Sequence, residues 1–93
     1  IAPQDQVVAN QPSTRLEIAV MPGCPWCSRA IRILRSVGIS YQQINVDNDD
    51  SFKAIEKRSS ASTFPQVFID GSYIGGYESL VNLKDNGELI KLI

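Results

Sequence analysis

The stretch RLEIAVMPGCPWCSRAIRILRSVG, residues 15–38, changes its pattern of apolar side chains at its centre. Its first six residues alternate apolar with polar or small side chains, which predicts a central β-strand. From Pro25 onward the apolar residues recur with helical spacing, at Ala30, Ile33, Leu34 and Val37. Gly38 is expected to end this helix. The two cysteines of the chain, Cys24 and Cys27, therefore lie at a strand-to-helix junction.

The rest of the chain predicts three further strands and two further helices. The strands are expected at 40–46, 62–70 and 72–76, and the helices at 52–59 and 77–93. The last helix is expected to be interrupted near Gly87 and to bury Leu80, Leu83, Leu89 and Ile90.

The order β-α-β-α-β-β-α predicts an α/β domain with a central four-stranded mixed sheet flanked by helices. The Asp-Gly pair at 70–71 predicts a hairpin, and the first crossover predicts that the first two strands are parallel. Residues 1–14 show no periodicity, and we expect a flexible arm or linker there, with one domain over 15–93.

Composition excludes several functions. The 93 residues carry a net charge of −1 and no basic block, which gives no support to nucleic-acid binding. The chain has no His, which excludes histidine catalysis and histidine metal sites. Its two cysteines are too few for a secreted disulfide scaffold or a four-ligand zinc site. No apolar run reaches the roughly 18 residues of a membrane helix. We expect a monomer that needs no metal and no membrane.

The position of Cys24 suggests redox chemistry. A helix N-terminus offers unpaired N–H groups and a partial positive charge, both of which stabilise a thiolate. Cysteines in C-x-x-C motifs can have a pKa of ~3.5 to ~7.5 instead of ~8.5. Cys27 lies about one turn later on the same side of the helix and should be less exposed. The pattern predicts that Cys24 attacks a disulfide and Cys27 resolves it. Half of a shared zinc site and two buried thiols are the alternatives.

The tripeptide Thr63-Phe64-Pro65 is a second candidate feature. A cis Phe64–Pro65 bond would turn the backbone of Thr63 toward the cysteines, where its amide and carbonyl would pair with an extended thiol substrate. The alternative is an ordinary trans proline at an edge strand, because only ~5–6% of X–Pro bonds are cis.

The double glycine at 75–76 is a third candidate feature, because it allows close backbone approach just before a helix. The first amides of that helix, at Glu78 and Ser79, would bind a carboxylate. The alternative is a simple turn. Trp26 and Tyr77 are expected to flank a shallow groove.

The segments CPWC, TFPQVFIDGSYIGG and GGYESL together resemble a dithiol glutaredoxin, a member of the thioredoxin superfamily, and the resemblance covers residues 15–93. It implies a thioredoxin-like fold and a glutathione-dependent thiol–disulfide oxidoreductase that reduces protein disulfides and protein–glutathione mixed disulfides. Glutathione is then the co-substrate and the proteins are the partners. Cys24 would be the nucleophile that receives the glutathionyl group, and Cys27 the resolving thiol.

The resemblance also implies a set of residues that bind substrate and glutathione: Pro25, Trp26, Lys57, Thr63, Phe64, Pro65, Gly76, Tyr77, Glu78 and Ser79. The backbone of 63–65 would pair with the cysteine part of glutathione, and 76–79 would receive its γ-glutamyl end. Two residues depart from the family pattern. Met21 stands where Lys or Arg is usual, and Ser79 where Asp is common. Lys57 and Arg58 are candidates for the missing cation.

Two other functions stay open from the sequence. Some glutaredoxins bind a two-iron, two-sulfur cluster between protomers, with the first cysteine and glutathione as ligands, but Pro25 and Cys27 argue against that role. A redoxin reduced by thioredoxin reductase is favoured slightly by Met21 and opposed by the segment GGYE. We expect the protein to work in the cytoplasm or another reducing compartment.

Overall fold

The computed structural model describes residues 15–92, so the arm predicted at 1–14 lies outside the described residues. The elements follow the predicted order: β1 (Leu16–Val20), α1 (Pro25–Val37), β2 (Tyr41–Asn45), α2 (Asp49–Ser59), β3 (Gln66–Ile69), β4 (Ser72–Gly75) and α3 (Tyr77–Asp85). A short 3₁₀ helix follows at Leu89–Leu92. Between residues 15 and 92, no helix combines the length and apolar character needed to cross a membrane.

The four strands form one mixed sheet in the order β2-β1-β3-β4, so β1 is central as predicted. The α1 crossover makes β1 and β2 parallel, and β3 runs antiparallel to both β1 and β4. The predicted hairpin joins β3 to β4. Asp70 and Gly71 both have positive φ, 53° and 85°, the signature of a type I′ turn.

Apolar side chains cover both faces of the sheet. On one face the strands pack against α1 and α3 through a cluster that contains Leu16, Ile18, Val20, Cys27, Ala30, Leu34, Val67, Leu80 and Leu89. On the other face α2 packs through a second cluster of Ala19, Val46, Ile55 and Phe68. Side chains alternate along β1, so Leu16, Ile18 and Val20 enter the first cluster, whereas Ala19 enters the second.

Helix α2 begins three residues earlier than predicted. Asn48 caps it, because its side chain accepts a hydrogen bond from the Ser51 backbone N–H at 2.8 Å. The Ser51 hydroxyl in turn accepts one from the Asn48 backbone N–H at 3.2 Å. This capping box starts the helix at Asp49.

Strand β3 was predicted from residue 62, but it begins at Gln66. Pro65 has no N–H for the sheet ladder. The buried Gln66 amide also donates to the carbonyls of Ala61 and Thr63, both at 3.0 Å. These bonds hold residues 61–65 as a loop that leads into the sheet.

Other strand boundaries differ from prediction by one residue. Strand β2 is one residue shorter at each end, and β4 stops at Gly75. The last helix is interrupted near Gly87 as predicted: α3 ends at Asp85, the chain turns at Gly87 with φ of 81°, and only a short 3₁₀ helix follows. Leu89 is buried after this turn, but Ile90 is 60% exposed, so its assignment to the core was wrong.

Candidate active site

The start of α1 positions the sulfur of Cys24. The backbone of Cys24 is extended (φ −93°, ψ 107°), so the residue caps the helix, and Pro25 takes the first helical position. The Cys27 backbone N–H donates to the Cys24 Sγ at 3.2 Å. The Cys24 side chain is half-buried and the thiol is free. The sulfur thus faces the N–H groups at the helix start, as the sequence predicted.

Cys27 lies in a different environment from Cys24. It is only 3% exposed, which confirms the expectation that it is the less accessible thiol. Burial raises the pKa of the Cys27 thiol to about 12, with further contributions from the hydrogen bond and the charge of Cys24, while a backbone hydrogen bond at Met21 acts in the opposite direction. The two thiols of one motif therefore differ in access, and burial holds the proton on Cys27.

The loop before β3 approaches Cys24. The Phe64–Pro65 bond is cis, as predicted. The Cys24 thiol donates to the Phe64 carbonyl, with 3.8 Å between Sγ and O. The Thr63 carbonyl does not meet the sulfur, because it accepts a hydrogen bond from the Gln66 side-chain amide. The carbonyl that meets the sulfur is therefore that of Phe64, one residue after the position emphasised in the sequence.

A cleft of about 420 Å³ lies at the start of α3, and we call it the α3 cleft. Its lining joins two separate parts of the sequence: Trp26, Gly76, Tyr77, Glu78 and Ser79. The rings of Trp26 and Tyr77 pack with centroids 5.1 Å apart. Gly76 caps α3 without a side-chain hydrogen bond, so the first N–H groups of the helix are left for a ligand. All five lining residues were predicted from sequence.

The double glycine is required by close packing at the β4–α3 junction. Gly75 has φ of 135°, and a Cβ there would collide with the Ser79 hydroxyl. A Cβ on Gly76 would lie 3.2 Å from the Pro65 carbonyl oxygen. Glycine thus lets the α3 cleft abut the loop that meets Cys24.

The two residues predicted as cations for glutathione, Lys57 and Arg58, lie outside the linings of the clefts near Cys24. Lys57 is exposed in the last turn of α2 and lines neither the α3 cleft nor the cleft beside Cys24. Arg58 instead bonds Glu17 at 2.9 Å and covers the Phe68 ring at 4.2 Å. Met21 is 39% exposed and offers no charge.

The sequence did not reveal a second cleft, of about 610 Å³, on the other side of the cysteines. It is lined by the β1–α1 junction from Val20 to Ser28, without Trp26, and by Ile31, Gln43, Asn45 and Asp47. The carboxyl ends of the parallel strands β1 and β2 form part of its wall. Ligand sites of open α/β sheets favour this edge, so the polar Gln43 and Asn45 were the available signal.

The fold and the site together define a class. A helix-capping cysteine, a buried cysteine one turn later and the loop before β3 beside them, on a sheet of this order, form the dithiol centre of a thioredoxin-like oxidoreductase.

Comparison with known proteins narrows the class to a family. The glutaredoxin family model matches residues 16–74. Glutaredoxin 3 of Escherichia coli (strain K12) is 39% identical over 79 residues, which cover 84% of this chain and 95% of that protein. A hybrid peroxiredoxin of Haemophilus influenzae is 36% identical over 80 residues, covering 86% of this chain but only 31% of its own length.

A solved structure gives the same result. The crystal structure of a buckwheat glutaredoxin–glutathione complex superposes with a TM-score of 0.74 at 26% identity, over 95% of this chain and 84% of that chain. The chain belongs to the glutaredoxin family. It is a thiol–disulfide oxidoreductase with a thioredoxin-like fold.

Proposed function

We propose that this protein uses glutathione to reduce protein–glutathione mixed disulfides and protein disulfides. The observation that carries the proposal is the juxtaposition of Cys24, the Phe64 carbonyl and the α3 cleft. The buckwheat relative, which was solved as a complex with glutathione, supports glutathione as the ligand.

The first step is an attack by the Cys24 sulfur on the glutathionyl sulfur of a mixed disulfide. A bond forms between Cys24 and the glutathionyl sulfur, and the original S–S bond breaks. The protein leaves as a thiolate and takes up a proton. A second glutathione then attacks the glutathionyl sulfur on Cys24, which releases glutathione disulfide and restores the Cys24 thiolate. This cycle needs only Cys24.

Reduction of a protein disulfide also needs Cys27. After Cys24 forms a mixed disulfide with the substrate, the Cys27 sulfur attacks Cys24 and the substrate leaves as a dithiol. Two glutathione molecules then reduce the Cys24–Cys27 disulfide and form glutathione disulfide. The proposed order of events rests on access and on the pKa of Cys27, because Cys24 is half-buried, whereas Cys27 is 3% exposed and its pKa is raised mainly by burial. The smaller contributions of Cys24 to that pKa end when Cys24 is bonded to substrate, and Cys27 then passes its proton to the departing sulfur.

Glutathione would bind in a groove that runs from Cys24, past the Phe64 carbonyl, to the α3 cleft. The backbone at Thr63 and Phe64 pairs with its cysteine part. The free N–H groups at the start of α3 bind its γ-glutamyl carboxylate, and Glu78 accepts from the adjacent ammonium group. Pro25 and Pro65 shape the groove, and the rings of Trp26 and Tyr77 form its wall.

The opposite end of glutathione meets Met21 rather than a cation. We predict that Met21→Lys lowers the KM for glutathione by about 1.4- to fivefold, because an exposed ion pair contributes about 0.2–1 kcal/mol. Met21→Leu is the matched control and should leave the KM unchanged. Equal kinetics for the two variants would show that the glycyl carboxylate does not bind beside residue 21. Lys57 would then be the remaining candidate, tested by Lys57→Gln.

The decisive assay is the reduction of a small glutathione mixed disulfide, coupled to glutathione reductase. We expect Cys24→Ser to be inactive and Cys27→Ser to retain this activity while losing the reduction of a protein disulfide. Equal loss in both variants would contradict the one-cysteine step. Thioredoxin reductase, run in parallel as the electron donor, should support little turnover.

Three further expectations accompany this function. Dependence on glutathione places the protein in a reducing compartment such as the cytoplasm. The reaction uses no metal, so the purified protein should be colourless, whereas visible sulfur-to-iron absorbance would indicate a bound iron–sulfur cluster instead. A monomer contains all the residues of the site, and sedimentation analysis tests that oligomeric state.

A further inference from the structure

A third cleft lies between α1 and α3, outside the site described above. Its volume is about 510 Å³. The residues that line it are Arg29, Arg32, Ile33, Ser36, Tyr77 and Lys84. We call it the basic cleft, because three of these six side chains are cationic. No carboxylate belongs to the lining. Two helices that are far apart in the sequence thus supply one concentrated positive surface.

The cations of the basic cleft have no carboxylate partner within residues 15–92. Among residues 15–92, the ion pairs join Arg15 to Asp70, Arg58 to Glu17 and Lys91 to Glu88, and none includes a cation of the cleft. Helix α1 itself has the sequence PWCSRAIRILRSV, with three arginines and no acidic residue. Like charges at this spacing repel one another, so an anionic occupant is stabilised there.

The whole chain does not share this positive charge. Its net charge is −1, and α2, on the opposite face of the sheet, carries three acidic and three basic residues. The excess of positive charge on α1 is therefore local to its side of the sheet. A short acidic segment fits a single cleft of three cations, whereas an extended polyanion such as a nucleic acid needs a longer basic track.

The basic cleft is physically connected to the redox site. Tyr77 lines both the basic cleft and the α3 cleft. The Arg29 guanidinium lies 4.6 Å from the centroid of the Trp26 ring, and that ring packs on Tyr77. The basic cleft and the α3 cleft thus share Tyr77, and the paired rings of Trp26 and Tyr77 contact residues of both clefts. Ile33 and Tyr77 add apolar contact surface to the cations.

We propose that the basic cleft binds an acidic polypeptide segment next to the disulfide of the protein substrate. Binding to the cleft stands on its own, and its effect on catalysis rests on the proposed function. The cleft would select protein substrates by the residues that flank their cysteine, while small mixed disulfides would react without using it.

A binding titration tests the proposal directly. The probe is a cysteine-free peptide of alternating Glu and Gly, and the signal is the fluorescence of Trp26, the single tryptophan of the chain, which lies against Arg29. We expect saturable binding that weakens with salt. Arg32→Glu or Lys84→Glu should weaken it by about fivefold or more. Lys53→Glu on α2 changes the net charge equally and should leave it unchanged.

Three outcomes would overturn the proposal. The first is the absence of any saturable signal by fluorescence and by calorimetry. The second is equal binding of a Lys–Gly peptide or equal weakening by Lys53→Glu. The third is tighter, Arg32-dependent binding of single-stranded DNA, which would assign the cleft to nucleic acid. Circular dichroism of each variant verifies that it is folded.

A kinetic experiment separates this proposal from the proposed function. Two peptide–glutathione mixed disulfides are compared, one with Asp and Glu flanking the cysteine and one with Ser and Gly. Arg32→Glu should raise KM for the acidic peptide alone and leave the reduction of the small mixed disulfide unchanged. Equal KM changes for both peptides would contradict the role in substrate selection. Turnover of neither peptide by the unmodified protein would count against the proposed function, while the titration would still decide the cleft.

Discussion

At the scale of single residues, two cysteines of the same motif acquire different chemistry from their surroundings. Cys24 lies half-buried before the first turn of α1, and its Sγ accepts a hydrogen bond from the Cys27 backbone N–H at 3.2 Å. Cys27 lies inside the helix, is 3% exposed and has a pKa of about 12. Burial is the larger cause of that raised pKa, because a thiolate at this position would lose its hydration.

Alkylation of the reduced protein tests this difference. We predict that iodoacetamide near neutral pH modifies Cys24 and leaves Cys27 unmodified, since a thiolate is required and Cys27 remains a buried thiol. Peptide mapping by mass spectrometry identifies the modified residue. The Cys24→Ser variant should resist alkylation until it is unfolded in urea. Rapid labelling of Cys27 in the folded protein would show that the site is more open than described.

At the scale of elements, the residues of the site lie at the junctions where strands lead into helices. The sequence was sufficient for the start of α1, because Cys24 and Pro25 are a recognisable helix beginning, and for the hairpin at Asp70-Gly71. It was insufficient for the loop at 61–65, which depends on hydrogen bonds from a buried side chain, Gln66, to carbonyls that precede it. The local sequence pattern cannot show such a bond, so the start of the strand was predicted four residues too early.

The β4–α3 junction supports a prediction about Gly75. Gly75→Ala should destabilise the fold by about 1–3 kcal/mol, because its φ of 135° disfavours a side chain and the new Cβ meets Ser79. KM for the glutathione mixed disulfide should also rise, since Ser79 lines the α3 cleft. Urea unfolding and steady-state kinetics measure the two effects.

Gly38→Ala is the matched control for this junction. Gly38 also has positive φ, 83°, but a Cβ there meets nothing within 4 Å. It should lose about 1–2 kcal/mol of stability from the left-handed backbone alone and keep its KM. If the KM were unchanged in Gly75→Ala as well, the β4–α3 junction would have no effect on glutathione binding.

At the scale of the whole molecule, the sheet assembles a site from three distant segments. The resemblance to glutaredoxins anticipated that the cysteine motif, the loop at 63–65 and the segment 76–79 come together. The basic cleft was not anticipated, because the arginines of α1 resemble an ordinary solvated helix face. Only the packing of α3 on α1 adds Lys84 and makes that face a cleft.

The pH dependence of stability is a property of the whole reduced protein. The raised pKa of Cys27 means that the folded state keeps a proton that the unfolded state loses above about pH 8.5. The contribution of Cys27 is therefore fully present below that pH and declines as pH rises toward about 12. Urea unfolding should show a steeper loss of stability above pH 8.5 in the unmodified protein than in Cys27→Ser. Parallel curves would contradict the buried-thiol assignment.

The central claim is that Cys24 is the attacking sulfur and Cys27 acts only after it. Intact-mass spectrometry of Cys27→Ser mixed with glutathione disulfide tests this claim most directly. The account predicts one glutathionyl group, mapped to Cys24, which free glutathione then removes. Cys24→Ser under the same conditions should remain unmodified. A glutathionyl group that forms on Cys27 of Cys24→Ser as fast as on Cys24 of Cys27→Ser would contradict the account.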